Sequence, residues 1–221
     1  MKYIVISPVG NGKGYCIKDF IEKVKAFEPA PHQIVLGLHL DHGFDLTDPM
    51  FEGITIVYDS CIDGAGGSLE RICSNREVLR LFFVNHKERY EHALWIDTDI
   101  MCPPETPAVL HQAIVDNNVL IAVNKVKGRG TDRYLCGSGM MFMHRIAATV
   151  SRFYVGIIEP EYVVGEGAWA PDGLEKHLSE DFMFFAMFDQ GRHFLDMWCG
   201  MSGRLCDHFV EVEHIFPPKR Y

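Results

Sequence analysis

His92-Ala93-Leu94-Trp95-Ile96-Asp97-Thr98-Asp99-Ile100 is an apolar run that ends in two carboxylates separated by a single residue. The stretch His92–Ile96 has the length of one buried strand and is too short for a helix. Two carboxylates just past a buried strand can share one divalent cation, or hold it once directly and once through water. Their hard oxygens favour Mg²⁺ or Mn²⁺. The competing reading makes them turn aspartates that cap the following segment. The apolar strand before them, and Pro103 and Pro104 after them, favour the ligand reading.

Working outward, the chain upstream alternates strand-like and helix-like segments. Tyr3–Ser7 is an apolar run that stops at Pro8 and gives way to Gly10-Asn11-Gly12-Lys13-Gly14. Ile17–Phe27 places Ile17, Phe20, Ile21, Val24 and Phe27 at helical spacing. Gln33–Leu40 reads as a second strand leading into Asp41, and Ile54–Tyr58 as a third leading into Asp59. A Gly-rich loop at Gly64–Gly67 precedes a helix from Ser68 to about Val84. Downstream, Pro103–Asn117 reads as a helix and Val119–Asn124 as a fifth strand. Such alternation predicts an α/β fold with a mostly parallel sheet and helices on both faces. In such sheets ligands bind beyond the carboxyl ends of the strands. Ser7 to Gly14, Asp41, Asp59, Asp97 and Asp99 all stand at those ends. The later half is less regular. It predicts a Gly-rich strand at Cys136–His144, a helix at Glu175–Asp189 and a polar C-terminal tail, which together suggest an added acceptor-side region.

The 221 residues are 48% hydrophobic and 23% charged, an ordinary globular composition able to bury a sizeable core. No linker composition, repeat or low-complexity tract divides the chain, so a single domain over residues 1–221 is expected. The longest apolar runs are strand-sized, and neither a membrane span nor a leader-like h-region is visible, which predicts a cytoplasmic protein. The seven cysteines include no C-x-x-C pair, so reduced thiols are expected rather than a zinc site. A formal net charge of −9 argues against a general nucleic-acid binder.

The strand ending in Asp97-Thr98-Asp99 behind two strand–helix units resembles the GT-A-fold glycosyltransferases. Cys136-Gly137-Ser138-Gly139-Met140 resembles their small-residue loop and strand near donor sugar and acceptor. Ser179-Glu180-Asp181-Phe182-Met183 resembles their acidic motif at a helix start, and Asp207-His208 their late metal-completing histidine. The resemblance spans roughly residues 1–210 in order and spacing and carries no signature of a single family.

It implies a nucleotide diphosphate sugar as donor and a hydroxyl acceptor, whether glycan, lipid-linked sugar, metabolite, protein side chain or modified nucleobase. It also implies a nucleotide-sugar half over residues 1–124 and an acceptor half over residues 125–221. The implied cation ligands are Asp97, Asp99 and His208, with His214 as the nearest rival. The implied donor contacts are Ser7, Pro8, Val9, Asp41, Arg76, Asp97, Thr98, Gly137 and Gly139. Asp181 and Glu180 are the implied groups that activate or position the acceptor. Asn75 beside Arg76, and Lys13, Arg71, Lys125, Lys127 and Arg129, are further candidates near base and phosphates. The tract Lys125–Arg133 has the glycines of a lid over the donor.

Other readings remain open. A phosphohydrolase of the HAD type also carries D-x-D after a strand, but usually at the first strand. A sugar-phosphate nucleotidyltransferase wants a longer Gly-rich, basic loop than Gly10–Gly14. That loop is neither a P-loop nor a dinucleotide fingerprint, because no Lys-Ser/Thr follows and Tyr15 takes the third-glycine position. A nucleotide-sugar-binding module without turnover is the non-enzymatic alternative, and intact Asp97, Asp99 and Asp181 weigh against it.

Overall fold

The computed structural model describes residues 1–10, 12–59, 68–86, 88, 90–127, 134–153, 156–158, 176–178, 202–208 and 212–214. In chain order the elements begin with β1 (Tyr3–Val9), α1 (Ile17–Lys25), β2 (Gln33–His39), β3 (Ile54–Asp59), α2 (Ser68–Asn85) and β4 (His92–Ile96). They continue with β5 (Ile100–Met101), α3 (Thr106–Asn117), β6 (Val119–Lys127), β7 (Tyr134–His144) and α4 (Arg145–Val150). The last are β8 (Gly156–Ile158), β9 (Lys176–Leu178), β10 (Ser202–His208) and β11 (Glu213–His214).

Among the described residues seven strands form one sheet, in the order β10-β6-β7-β4-β1-β2-β3. Every neighbouring pair is parallel except the two that involve β7. β1 and β4 lie at the centre, so both of their faces need apolar cover. Accordingly, all five residues of β4 are buried, as are Tyr3, Ile4, Val5 and Ile6. On one face α1 contributes Ile17, Phe20, Ile21 and Val24, with Leu110, Ala113 and Ile114 of α3. On the other, α2 contributes Cys73, Leu79 and Phe83, with Ala147 and Ala148 of α4. Helices on both faces of a mostly parallel sheet are what the alternating sequence predicts. α2 is further fastened by Arg80, whose guanidinium donates to the Ala148 carbonyl at 2.6 Å, and by Glu77, which accepts from the Phe153 amide at 3.0 Å.

Several expectations need correction. β1 runs through Pro8 to Val9, because its pairing with β4 ends at Ile6–Trp95 and only the β2 side continues beside the proline. Lys125 and Lys127 belong to β6, paired with Cys136 and Tyr134, and so are strand residues rather than the start of a lid. Residues 128–133, with Arg129, lie outside the described residues. Where a helix from Glu175 was expected, Lys176–Leu178 pairs antiparallel with β8. The remainder of that expected helix, including Glu180 and Asp181, lies outside the described residues. Ser202–His208 forms the strand β10, where only a polar C-terminal tail was expected.

The amino end of β4 carries a second feature. His92 pairs in register with His144, and the ring centroids of His92 and His111 are 5.0 Å apart. The His92 ring also stacks on Phe142 at 5.5 Å. Burial, reinforced by His144, His111 and the chain's amino terminus, pushes the His92 pKa down to about 3. His144 and His111 are lowered as well, chiefly by burial, with Glu91 opposing the shift in both. Because the folded imidazole stays neutral, the unfolded chain takes up more protons once the pH falls below the free value of about 6.5. Stability contributed by His92 is therefore full above that value and lost as the pH falls, at no more than about 1.4 kcal/mol per pH unit. Urea midpoints should drop between pH 7.5 and 5, and less so in His92→Phe. An unchanged midpoint across that range would contradict the assignment.

Candidate functional site

β2 and β3 lie on one side of β1 and β4 on the other, so the order in which strands are added reverses between β1 and β4, although the two run parallel. Crevices at such a reversal, beyond the carboxyl ends, are where open α/β sheets bind ligands. A cleft of about 270 Å³ opens at that place. Pro8, Val9 and Gly10 line it from the end of β1, His39 from β2, and Ile72, Asn75 and Arg76 from α2. Lys13 and Asp97-Thr98-Asp99 complete the lining.

Its geometry starts from the turn after β4. The Ile100 amide donates to the Asp97 carbonyl at 3.0 Å, and the Asp97 amide to the Gly139 carbonyl at 2.8 Å. A Cβ at Gly139 would stand 3.3 Å from Asp97 Oδ2. A hydrogen at Gly139 is thus what lets the Asp97 carboxylate lie against β7. Asp97 is partly exposed to the cleft, whereas Thr98 and Asp99 are buried.

Each aspartate meets a cation. Arg76 Nη2 donates to Asp97 Oδ1 at 3.0 Å, and Lys13 Nζ to Asp99 Oδ2 at 2.5 Å. The two cations differ in setting. The Arg76 side chain is 5% exposed, and its guanidinium lies 6.0 Å from the Phe153 ring centroid. Lys13 is 24% exposed and lies on the short 3-10 turn Lys13–Tyr15, which follows Gly12 in a left-handed conformation at φ 83°. Asn75 places α2 against the sheet by donating to the Gly37 carbonyl at 2.9 Å.

The β2 side of the cleft holds a buried pair. His39 Nδ1 lies 3.2 Å from Asp59 Oδ2, and Ser74 donates to Asp59 Oδ1 at 2.8 Å. Burial lowers the His39 pKa and Arg71 adds to the effect, against the raising influence of Asp59 and Asp41.

Of the residues expected at the site, Pro8, Val9, Arg76, Asp97, Thr98 and Asp99 line one cleft, with Lys13 and Asn75. Gly139 supports Asp97 from behind. Ser7 is fully buried, and its hydroxyl donates to the Ile96 carbonyl at 2.6 Å, tying β1 to β4 rather than lining the cleft. Asp41 stands at the surface in a 2.7 Å ion pair with Arg71, outside the lining. His39, rather than Asp41, stands at the cleft end of β2. The signal was available, since His39 is the last residue of that apolar strand. Gly137 lies on β7, between Cys136, which pairs with Lys125, and Met140, which pairs with Ile96.

The two late histidines separate. His208 ends β10 opposite Asn124, with β6 and β7 between it and β4. Three strand spacings amount to about 14 Å between backbones. β11 instead pairs with β5, which sets His214 opposite Ile100, the residue after Asp99. Sequence distance gave no sign of this pairing.

No family profile matches the chain, and no curated protein does either. Among solved structures it is similar to glucosyl-3-phosphoglycerate synthase from Mycobacterium tuberculosis in complex with phosphoglyceric acid. The TM-score is 0.52 at 11% identity, covering 98% of this chain and 73% of that one. It is also similar to 4-diphosphocytidyl-2C-methyl-D-erythritol synthase from Anaerococcus prevotii DSM 20548, with TM-score 0.51, 13% identity and coverage of 95% and 90%. A third is A197 from STIV, with TM-score 0.50, 14% identity and coverage of 98% and 87%. At these identities the likeness is one of fold, the GT-A, Rossmann-like arrangement. Among the described residues no helix is long and apolar enough to cross a membrane.

Proposed function

We propose that the protein transfers a sugar from a nucleotide diphosphate sugar to an acceptor hydroxyl, and that Asp97 and Asp99 hold a divalent cation at the donor's diphosphate. The observation that carries this reading is the placement of the two aspartates, with Arg76 and Lys13, in the cleft at the sheet's reversal point. A diphosphate needs positive charge, and Arg76 and Lys13 converge there from two different elements. Pro8 and Val9 at the end of β1, and His39 at the end of β2, line the same cleft and are assigned to the nucleoside.

The donor set suits Mg²⁺ or Mn²⁺ in part. Asp97 and Asp99 offer hard oxygens at one turn, while no group of three His, Cys, Asp or Glu side chains among the described residues would form a complete cage. The remaining ligands are assigned to the diphosphate and to a late histidine. When bound, the cation offsets charge on the departing diphosphate. Arg76 fixes the Asp97 carboxylate and stands ready for a phosphate oxygen. Asp181, with Glu180 beside it, is assigned to the acceptor hydroxyl as base or positioning group. The acceptor is assigned to residues 125–221 and the donor to residues 1–124.

Register favours His214 over His208 as the histidine nearest the aspartates. His214→Ala should therefore weaken Mn²⁺ binding about tenfold, and His208→Ala by less than threefold, one imidazole ligand being worth about 1.4 kcal/mol or more. Isothermal titration with Mn²⁺ and a nucleoside diphosphate reads the difference. The reverse order would restore His208 to the shell.

The function itself is tested by thermal shift with nucleoside diphosphates and nucleotide sugars, each with and without Mn²⁺. A cation-dependent rise with one base, followed by release of that nucleoside diphosphate on adding acceptors, is the expected result. Lys13, reaching the cleft from a Gly-rich segment after β1, also suits nucleotidyl transfer. That reaction would release pyrophosphate from a nucleoside triphosphate instead, and its detection would displace the glycosyl reading.

A further inference from the structure

Asp99 is a carboxylate with only 3% of its side chain exposed, and Lys13 is bonded to it directly. A carboxylate buried to that degree needs a counter-charge held close. A divalent cation held by Asp99 draws on that same carboxylate. An ammonium and a dication compete for it, because like charges at ligand distance repel strongly in a partly buried site. Arg76 meets Asp97 Oδ1 in the same way, but Asp97 is the more open carboxylate, a third of its side chain being exposed against 3% for Asp99.

We propose that Lys13 is a built-in counter-ion that keeps the Asp99 cation site closed until a diphosphate arrives, and then transfers its charge to that diphosphate. This rests on reading Asp97 and Asp99 as cation ligands. The two site cations are unlike in a way that suits the division. Arg76 is a planar fork on a helix, almost wholly buried, and keeps its place. Lys13 is a point charge on a flexible stem, a quarter exposed, between Gly12 and Gly14. Its backbone is held by a turn bond from its own amide to the Gly10 carbonyl, so only the side chain has to move. Rotation of that stem exchanges one oxygen anion for another without breaking the fold. Metal and diphosphate then bind cooperatively, each raising the affinity of the other by the same factor. The free protein is protected from taking up a cation without a donor.

The test is titration calorimetry of Mn²⁺ alone, and of Mn²⁺ with UDP, GDP, CDP, ADP or dTDP, on the wild type, Lys13→Met and Lys13→Gln. The wild type should bind Mn²⁺ alone weakly, and at least tenfold more tightly with the matching diphosphate. Lys13→Met should bind Mn²⁺ alone at least tenfold more tightly than the wild type and lose most of the cooperativity. It should also melt lower without metal and regain that loss on adding Mn²⁺. Lys13→Gln keeps a hydrogen-bond donor for Asp99 without the charge, and should show the same gain in Mn²⁺ affinity if the methionine variant folds poorly. Mn²⁺ affinity in both variants equal to or below that of the wild type, beside intact Mn²⁺–diphosphate binding in the wild type, would overturn the counter-ion role and leave the aspartate site standing. Absence of Mn²⁺ binding in every variant, with and without diphosphates, would overturn the cation site and this inference with it.

Discussion

Asp97→Asn should lower kcat/KM for glycosyl transfer on the order of a thousandfold, about 4 kcal/mol of transition-state stabilisation. The substitution keeps size and shape and removes one charge. Asp97 is the more open of the two aspartates, accepts from Arg76, and is fixed through its own amide to Gly139. Its charge is therefore assigned to the cation, and its position to orienting Arg76. Asparagine offers a weaker oxygen to a hard cation and removes one negative charge from beside the Arg76 guanidinium, which is 5% exposed. Both faults bear on the diphosphate as it departs, so turnover should fall further than donor affinity does. The fold should survive, because the pair is partly solvated at Asp97 and the turn bonds use only main-chain groups. Circular dichroism and a melting temperature within a few degrees of the wild type would confirm that. Activity within tenfold of the wild type, in the presence of EDTA as well, would remove Asp97 from the chemistry.

Legibility in the sequence followed the range of the forces involved. β1, β4 and α1 were readable because their burial is encoded by local spacing, as at Ile17, Phe20, Ile21 and Val24. The paired aspartates were readable because a buried strand that ends in charge must deliver it to an edge. His39 and Asp41 differ by two residues, and only the turn at Leu40 decides that the first faces the cleft and the second faces solvent. The contact of Lys13 with Asp99 joins residues 86 apart and leaves no local trace. The same is true of β11 on β5, which moves the emphasis from His208 to His214. β10 was hidden for a different reason: Ser202, Gly203 and Arg204 carry no apolar alternation from which a strand could be read.

Gly37→Ala should cost about 3 kcal/mol of stability, a large effect for one added methyl group. Gly37 lies within β2, where Leu36 and Leu38 are fully buried and pair with both neighbouring strands. A Cβ there would stand 2.0 Å from Asn75 Oδ1 and 2.7 Å from Leu79 Cδ1. Neither neighbour can swing away cheaply. Asn75 is buried and spends its amide on the Gly37 carbonyl, and Leu79 is fully buried in the core on that face. Relief therefore has to come from shifting α2 off the sheet, which breaks the Asn75 bond and opens space beside Leu79. That shift also carries Arg76, the next residue along, away from Asp97. A stability loss should thus arrive together with weakened diphosphate binding. Gly37→Ala combined with Asn75→Ala removes the worst overlap and should recover part of the stability, though not the bond to the Gly37 carbonyl. A denaturant midpoint in Gly37→Ala equal to the wild type would mean that α2 does not sit this close to β2. The position assigned to Arg76 over the aspartates would then fall with it.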